Sequence, residues 1–547
     1  MFAFISLLTI IVVIIIIFYA IQKRRMTILE RNGINGPKPH WIFGNIFHFF
    51  NADNVTRSQQ YIEKYGKTCG YYVGHKPNIL TIDIELIKRF QIKDFEKFSD
   101  RQNFGIKHGI HPNPRFARDL VDSIGFRWKE TRTILTPTFS AMKLKMVTPI
   151  MESAIDIFID KVGQQAQKGT EFNIFEYFQL LTADVISKTA LGIDTNVQYN
   201  PKNEFFLAAK LLFDRKPSKF LMMFMCFPEL DRILYPFRRL LEVINERFGW
   251  SPPFTIAKLV EAAIQLRKIR PIKIIDLLQL MLDAKASEDE IKNENASKLS
   301  IEMSNDDKIL TNGNETSGVE NGHHRMMNGK KLRNSKSLTE DEVISNAVLF
   351  YEAGYETTST ALGFIAHFLV TRQDIQDKVR EEVNELYANE KKFDYNTVNK
   401  LAYMQCVINE SMRYYPPVTA FITRNTREDY HYKDMIIPKD STIRIPTYQL
   451  HHCEEYWPNP EVFDPERFRD KKNYDPNAFQ VFGNGPRNCI GMRFALYEIK
   501  LALAKLLHRY ILVPGPSTEN ELTLERKIIT ETPKYGVFVK ALPILEK

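Results

Sequence analysis

The run FAFISLLTIIVVIIIIFYAI, Phe2–Ile21, contains no charged residue, and only Ser6 and Thr9 in it are clearly polar. Nothing else in the chain restricts folding as strongly. In hydrocarbon every backbone N–H and C=O needs an internal partner, so such a run must be helical, and about 20 apolar residues cross a bilayer. A cleavable signal peptide is a poorer reading, because the run is too long and lacks an A-x-A-like site. Lys23, Arg24 and Arg25 follow at once and predict that the rest of the chain lies on the cytosolic side. We therefore expect an anchor over 1–22, a basic, Gly- and Pro-rich stiff hinge over 23–40, and one globular body over 41–547.

With 44% hydrophobic and 26% charged residues, the body is folded rather than disordered. The cysteines Cys69, Cys226, Cys406, Cys453 and Cys489 are widely spaced, odd in number and without a CxxC pair. That argues against a disulfide framework and a Cys-rich zinc site, and for a reducing compartment. A formal charge of +8 suits nucleic acid, anionic lipid or an acidic protein as partner. No zinc-finger or RNA-binding motif accompanies it, and a membrane anchor disfavours nucleic acid.

Short β-rich pieces such as TCGYYVGHKPNILTI mix with helical patterns such as MESAIDIFIDKV up to about Ala286. Residues 286–337 are polar, without aromatics and broken by Asn-Gly steps, and read as a flexible insert. His323 and His324 within it read as solvated rather than metal-binding. Then Ser337 with Glu340, or Thr339 with Glu342, forms a capping box that opens a long helix. Helical patterns dominate as far as Tyr414, and a Pro-rich, strand-like stretch leads to a last helix after Cys489. The expected fold class is mainly α with small β-sheets.

Cys489 sits in FGNGPRNCIG, Phe482–Gly491, just before that helix. A free cysteine is commonly a small buried hydrophobe. Here Gly483, Gly485 and Gly491 strip side chains from the turn, which lets a large flat object approach the backbone. Free amide N–H groups at a helix N-terminus favour thiolate. A thiolate in that setting is a metal ligand or a nucleophile. A nucleophile wants a general base beside it, and no Cys-His signature is readable; a ligand needs none.

The stretch resembles the haem-binding loop of the cytochrome P450 family, F-x-x-G-x-R-x-C-x-G, with Phe482, Gly485, Arg487, Cys489 and Gly491 filling its positions. The resemblance implies that Cys489 is the axial ligand of haem iron, where a thiolate favours O–O cleavage. Other family motifs occur in order. EAGYETTSTAL matches A-G-x-E-T-T, which implies that Thr357 hydrogen-bonds dioxygen and Glu356 relays protons to it. Gly354 costs a helix about 1 kcal/mol relative to Ala, and its small size would leave room for a diatomic ligand. ESMR and FDPERF match the segments that supply a buried Glu410–Arg413–Arg467 network. Trp128 and Arg132 in WKETR, Arg424 and Arg487 match positions that hold the haem propionates. The pocket is expected to include the loop from Phe104 to Leu120, Phe350 and Ala353, Val418 to Ile422, and the chain near Ile529 to Tyr535.

The resemblance, nearest to the animal microsomal broad-substrate branch, implies the cytochrome P450 fold with a single N-terminal transmembrane helix. It implies haem b, O2 as co-substrate, and electrons from NADPH through a flavoprotein reductase, with cytochrome b5 as a second candidate partner. The implied activity is insertion of one oxygen atom into a lipophilic small molecule at the endoplasmic reticulum membrane, with a cytosol-facing catalytic domain. A haem-thiolate isomerase or dehydratase acting on a peroxide would not need the Glu356–Thr357 pair. A haem sensor or lipophile carrier gives no reason for it either. Arg127, Lys129, Arg132, Lys143, Lys145, Arg487 and Arg493 are expected to form a basic face for an acidic reductase. The main departure from the branch is the 286–337 insert, longer than usual.

Overall fold

A computed structural model describes residues 2–49, 53–101, 113–116, 118–214, 226–269, 276–286, 338–527 and 529–544. Phe104, His323, His324, Ser337 and nearly all of the 286–337 insert lie outside the described residues. The helices that matter for the site are α1 (Phe2–Met26), α2 (Gly125–Leu135), α3 (Ala141–Lys168), α4 (Ile174–Ile186), α5 (Glu204–Asp214), α6 (Glu340–Thr371), α7 (Ala402–Tyr414) and α8 (Met492–Arg509). Strands β1 (Thr68–Val73), β2 (Lys76–Thr81), β3 (Thr423–Asn425) and β4 (Thr442–Arg444) make a sheet of order β1-β2-β4-β3, in which only β2 and β4 run parallel. Strands β5 (Leu524–Arg526) and β6 (Glu531–Pro533) form a separate hairpin. Phe172–Asn173, Phe538–Pro543 and Tyr510–Pro514 pair in a three-stranded antiparallel sheet. The architecture is the expected one: mainly α, with small sheets.

The axis of the body is α6. Thr339 and Glu342 close the capping box, with the Glu342 N–H donating to Thr339 Oγ1 (3.2 Å) and the Thr339 N–H to Glu342 Oε2 (2.8 Å). Most of the helix is buried on all sides, which fits its apolar majority. Two glycines let α4 approach it. A Cβ on Gly354 would lie 2.7 Å from Ile186 Cδ1, and one on Gly363 would lie 2.8 Å from Phe175 Cδ2. Gly354 thus lets Ile186 of α4 pack close against the helix, a role in addition to the expected room for a diatomic ligand.

The N-terminal segment also differs from expectation. Helix α1 continues through Lys23, Arg24 and Arg25, and a further turn covers Ile28–Arg31. Met26, Leu29 and Ile34 are buried against Tyr72 and Ile79 of the first sheet. The Leu29 N–H donates to Tyr72 Oη (3.0 Å), and the Gly70 N–H donates to the Asn35 carbonyl (2.8 Å). Gly36 leaves no space for a Cβ, which would fall 1.8 Å from the Gly70 carbonyl oxygen. Within the stretch expected to be a stiff hinge, residues 26–36 form a docked strap, because apolar residues among the turn formers give it something to bury. Within α1, Phe4–Met26 is long and apolar enough to cross a membrane.

Candidate active site

The loop around Cys489 is closed by its own backbone. The Cys489 N–H donates to the Phe482 carbonyl (2.8 Å), and the Asn488 N–H donates to the Gly485 carbonyl (3.0 Å). At Gly485, φ is +71°, and a Cβ would meet the Gln91 carbonyl oxygen at 2.0 Å. This glycine is demanded by the turn and by the packing behind it, which corrects its assignment to cofactor approach. At Gly483 and Gly491 a Cβ would meet nothing nearer than 3.8 Å and 3.9 Å, so these two keep the loop open. The Cys489 sulfur is exposed and accepts from the Gly491 N–H. Burial nevertheless pushes its thiol pKa up, against the pull of Gly491, Arg132 and Arg101. The Gly491 N–H and the two arginines favour the thiolate, as the helix end was expected to.

Arginines crowd this loop. Arg132 donates to the Asn488 carbonyl (3.0 Å) and to Asn488 Oδ1 (2.7 Å). Arg487 donates from Nε to the Ser99 carbonyl (2.7 Å) and from Nη2 to the Ser123 carbonyl (2.8 Å), with its guanidinium 4.2 Å from the Trp128 ring centre. Arg101, which the sequence reading missed, donates to the Phe421 carbonyl (3.1 Å) and the Arg487 carbonyl (3.2 Å). Arg424 is 1% exposed, donates to the Thr423 carbonyl (2.8 Å), and leaves Nε without a partner. Asp100 stands 3.9 Å from Arg487 but is held by Arg427 at 2.9 Å. Burial and mutual repulsion lower Arg101 to about 10 and Arg487 to about 9, and take Arg424 well below its ordinary value. Such a cluster wants an anion.

On α6, Phe350, Ala353 and Thr357 lie at i, i+3 and i+7, along one side of the helix. Phe139 connects the two sides: its ring lies 5.2 Å from that of Phe350, edge to face, and beside Gly491. Ala353 is exposed although its neighbours Tyr351 and Tyr355 are buried. Thr357 Oγ1 donates back to the Ala353 carbonyl (2.7 Å). Glu356 is 1% exposed, and its Oε1 accepts from Lys527 Nζ (2.8 Å). Leu120 is buried and its N–H donates to Asn346 Oδ1 (2.9 Å), tying the α2 approach to α6. Val418 bridges to Thr530, and Ile422 is buried beside Gly483. Ile529 and Tyr535 are exposed. The apolar expectation overlooked Glu352, one residue before Ala353. Burial, reinforced by Asp119, pushes its carboxyl to about 8, so it stands neutral at pH 7.

Glu410, Arg413 and Arg467 come together as expected. Both carboxylate oxygens of Glu410 accept from Arg413, at 2.7 Å and 2.8 Å, with both side chains fully buried. Arg467 Nε is 3.5 Å from Glu410 Oε1, and the Asp464 N–H donates to the same oxygen at 2.9 Å.

The family model described as Cytochrome P450 matches residues 34–319 and 307–539. This chain belongs to the cytochrome P450 family. Its relatives include cytochrome P450 3A2 of Rattus norvegicus, 32% identical over 535 residues, or 96% of this chain and 94% of the relative. Cytochrome P450 3A11 of Mus musculus is 30% identical, again over 96% and 94%. Cytochrome P450 3A30 of Fundulus heteroclitus is 31% identical over 94% and 93%. The expected likeness to the animal microsomal branch holds, and the chain is a P450 monooxygenase, a haem enzyme that uses O2. The two matched stretches of the family model meet inside the 286–337 insert.

The residues of this P450 fit haem. An exposed thiol, free to ligate, sits beside arginines short of anionic partners, with Arg424 Nε unpaired and buried. A metal at the centre of a group with acidic arms answers both demands. The basic face is smaller than expected. Arg132 and Arg487 are committed to the cysteine loop, and Arg127 donates to Glu342 (2.6 Å) and Glu130 (3.1 Å). Arg493 is half-buried; Lys129 and Lys145 are exposed and Lys143 is partly so. Ile124, Phe126, Met142 and Met146 are exposed on the same α2–α3 surface.

Proposed function

We propose that this P450 inserts one oxygen atom of O2 into a lipophilic small molecule, with electrons from an NADPH-dependent flavoprotein reductase. Support comes chiefly from one juxtaposition: the exposed thiol and its arginine cluster lie across Phe139 from the helix that carries Glu356 and Thr357. Haem, when bound, supplies the redox chemistry that activates dioxygen. Cys489 Sγ would ligate the iron, with Phe482 and Gly491 framing it. Arg101, Arg132, Arg424 and Arg487 would hold the propionates, and Trp128 would keep the Arg487 plane in place.

Glu356 moves a proton from its carboxyl to Thr357 Oγ1, and Thr357 donates it to dioxygen. Phe350, Ala353, Leu120, Val418 and Ile422, with Phe104, exclude water and hold the substrate's apolar body. Neutral Glu352 adds a single hydrogen-bond donor to that wall. Helix α1 anchors the chain in the endoplasmic reticulum membrane, with Lys23–Arg25 keeping the body cytosolic. The reductase docks on the α2–α3 surface through Lys129 and Lys145, and cytochrome b5 is a second candidate for the same surface.

Cys489→Ala tests the centre of this reading. The variant should lose the strongly red-shifted absorption of the ferrous carbon monoxide complex, and a variant that keeps it would mean another ligand. A turnover screen with reductase, scored by mass spectrometry for products heavier by one oxygen, tests the reaction and finds the substrate.

A further inference from the structure

One stripe interrupts the burial of α6. From Glu342 to Val370 every residue is buried except Leu349, Glu352, Ala353, Gly354 and Thr357. Leu349, Glu352, Ala353 and Thr357 fall at i, i+3, i+4 and i+8, along a single face. Glu352 thus shares a face with Ala353, on the proposed substrate wall, and with Thr357. Its Oε1 is shielded from solvent and has no hydrogen-bond partner.

A second acid reaches this part of α6 from the chain that leads into α2. The Leu120 N–H is fixed on Asn346 Oδ1 (2.9 Å), about a turn and a half of helix before Glu352. Asp119, next to Leu120, is half-buried and accepts on Oδ1 from the Val121 and Asp122 N–H groups, at 2.8 Å each. Burial, and after it Asp122, push the Asp119 carboxyl up to about 8; burial, and after it Asp119, do the same to Glu352. Arg101 pulls Asp119 the other way but is outweighed, and the proposed function commits it to a haem propionate. One turn on, Glu356 has a cation of its own in Lys527. Glu352 has none among the described residues. Two carboxyls that raise one another in an apolar wall are best satisfied by a cation brought from outside.

We propose that Glu352 and Asp119 form a recognition site for the ammonium group of a lipophilic amine, which makes such amines the preferred substrates of this P450. The assignment rests on the proposed monooxygenation and adds to it the class of molecule. In the free protein Glu352 is a neutral donor at pH 7. An aliphatic amine, with a pKa of about 10, arrives as ammonium. As it binds, the Glu352 O–H bond breaks, the proton leaves to solvent, and the carboxylate accepts from the ammonium N–H. No covalent bond to the amine forms. Binding should therefore release about one proton at pH 7 and weaken as pH falls below about 8, approaching tenfold for each unit. Above that range affinity should level off until the amine itself loses its proton.

The test uses the haem-loaded full chain, a calorimeter, and two probes of equal length: N,N-dimethyl(phenylbutyl)amine and the neutral methyl phenylbutyl ether. At pH about 8 the amine should bind the wild type about tenfold more tightly than the ether. The trimethylammonium analogue has no lone pair for iron and should keep most of that preference. Glu352→Gln should reduce the preference about tenfold and Asp119→Asn about threefold. Amine titrations in buffers of different ionisation heat should count about one proton released at pH 7, and ether titrations none. Equal affinity for amine and ether, or a preference that Glu352→Gln leaves intact, overturns the site. A preference lost by the trimethylammonium analogue overturns it too, since iron then holds the nitrogen. Should Glu352→Gln fail to fold, the wild-type preference and proton count decide. The two readings fail separately. If the site is overturned while reductase-driven turnover still adds one oxygen to other lipophiles, the monooxygenase reading stands. If amines bind through Glu352 yet no compound gains oxygen, that reading falls and takes the substrate role of the amine with it.

Discussion

Glu410 and Glu356 are buried to nearly the same degree, 0% and 1% exposed, and burial raises both carboxyls. Their cations differ. Glu410 is gripped by the planar fork of Arg413, whose remaining donors reach the His451 carbonyl (2.9 Å) and the Pro460 carbonyl (2.8 Å). That network is anchored in backbone and built on a side chain that does not titrate. Glu356 meets a lysine that leads on to a half-exposed aspartate. The same elementary unit, a buried ion pair, is thus sealed by backbone in one place and open toward the surface in the other.

Breaking the sealed pair should have the largest effect. Arg413→Ala leaves the buried Glu410 carboxylate with only the more distant Arg467 and the Asp464 N–H, and should cost about 3 kcal/mol, seen as a lower denaturant midpoint and poor haem retention. Arg413→Lys keeps the charge but loses the fork, and should cost about 2 kcal/mol in the same measurement. An unchanged midpoint in both would end the contrast. At the output of the open pair, Thr357→Ala should leave stability within about 0.5 kcal/mol of wild type. It should bind haem and substrate but divert most NADPH electrons to peroxide, while turnover driven by added peroxide is spared. Full coupling would take Thr357 out of the relay. The smallest effect concerns the surface. Lys129→Glu with Lys145→Glu should slow reductase-driven reduction about threefold at low salt, converging with wild type as salt screens the charges. Equal rates across the salt series would place the reductase elsewhere.

What could be read from sequence was whatever chemistry is contiguous. The cysteine loop, the Glu356–Thr357 pair, Glu410 with Arg413, and the Thr339–Glu342 cap each lie within a few residues, where spacing on a helix or in a turn already fixes geometry. Lys527 could not be found this way, because 171 residues separate it from Glu356 and nothing in LERKIITE marks that lysine as buried. Arg101 shows no motif either; its place beside Arg487 is set by contacts across the fold. Gly354 was noticed for its cost to a helix, but its packing against Ile186, on another element, could not be foreseen. The basic face was overcounted, since sequence cannot show that Arg127 is spent on Glu342.

The docked strap changes what the membrane helix means mechanically. A flexible tether would let the body tumble over the bilayer and sample every orientation. Here Met26, Leu29 and Ile34 clamp the end of α1 onto the strands that carry Tyr72 and Ile79. Set in a bilayer, such a helix would act as a mast bolted to the hull, its tilt passed to the first sheet. Lipid thickness, by setting that tilt, would then select which surface of the enzyme is turned toward the bilayer.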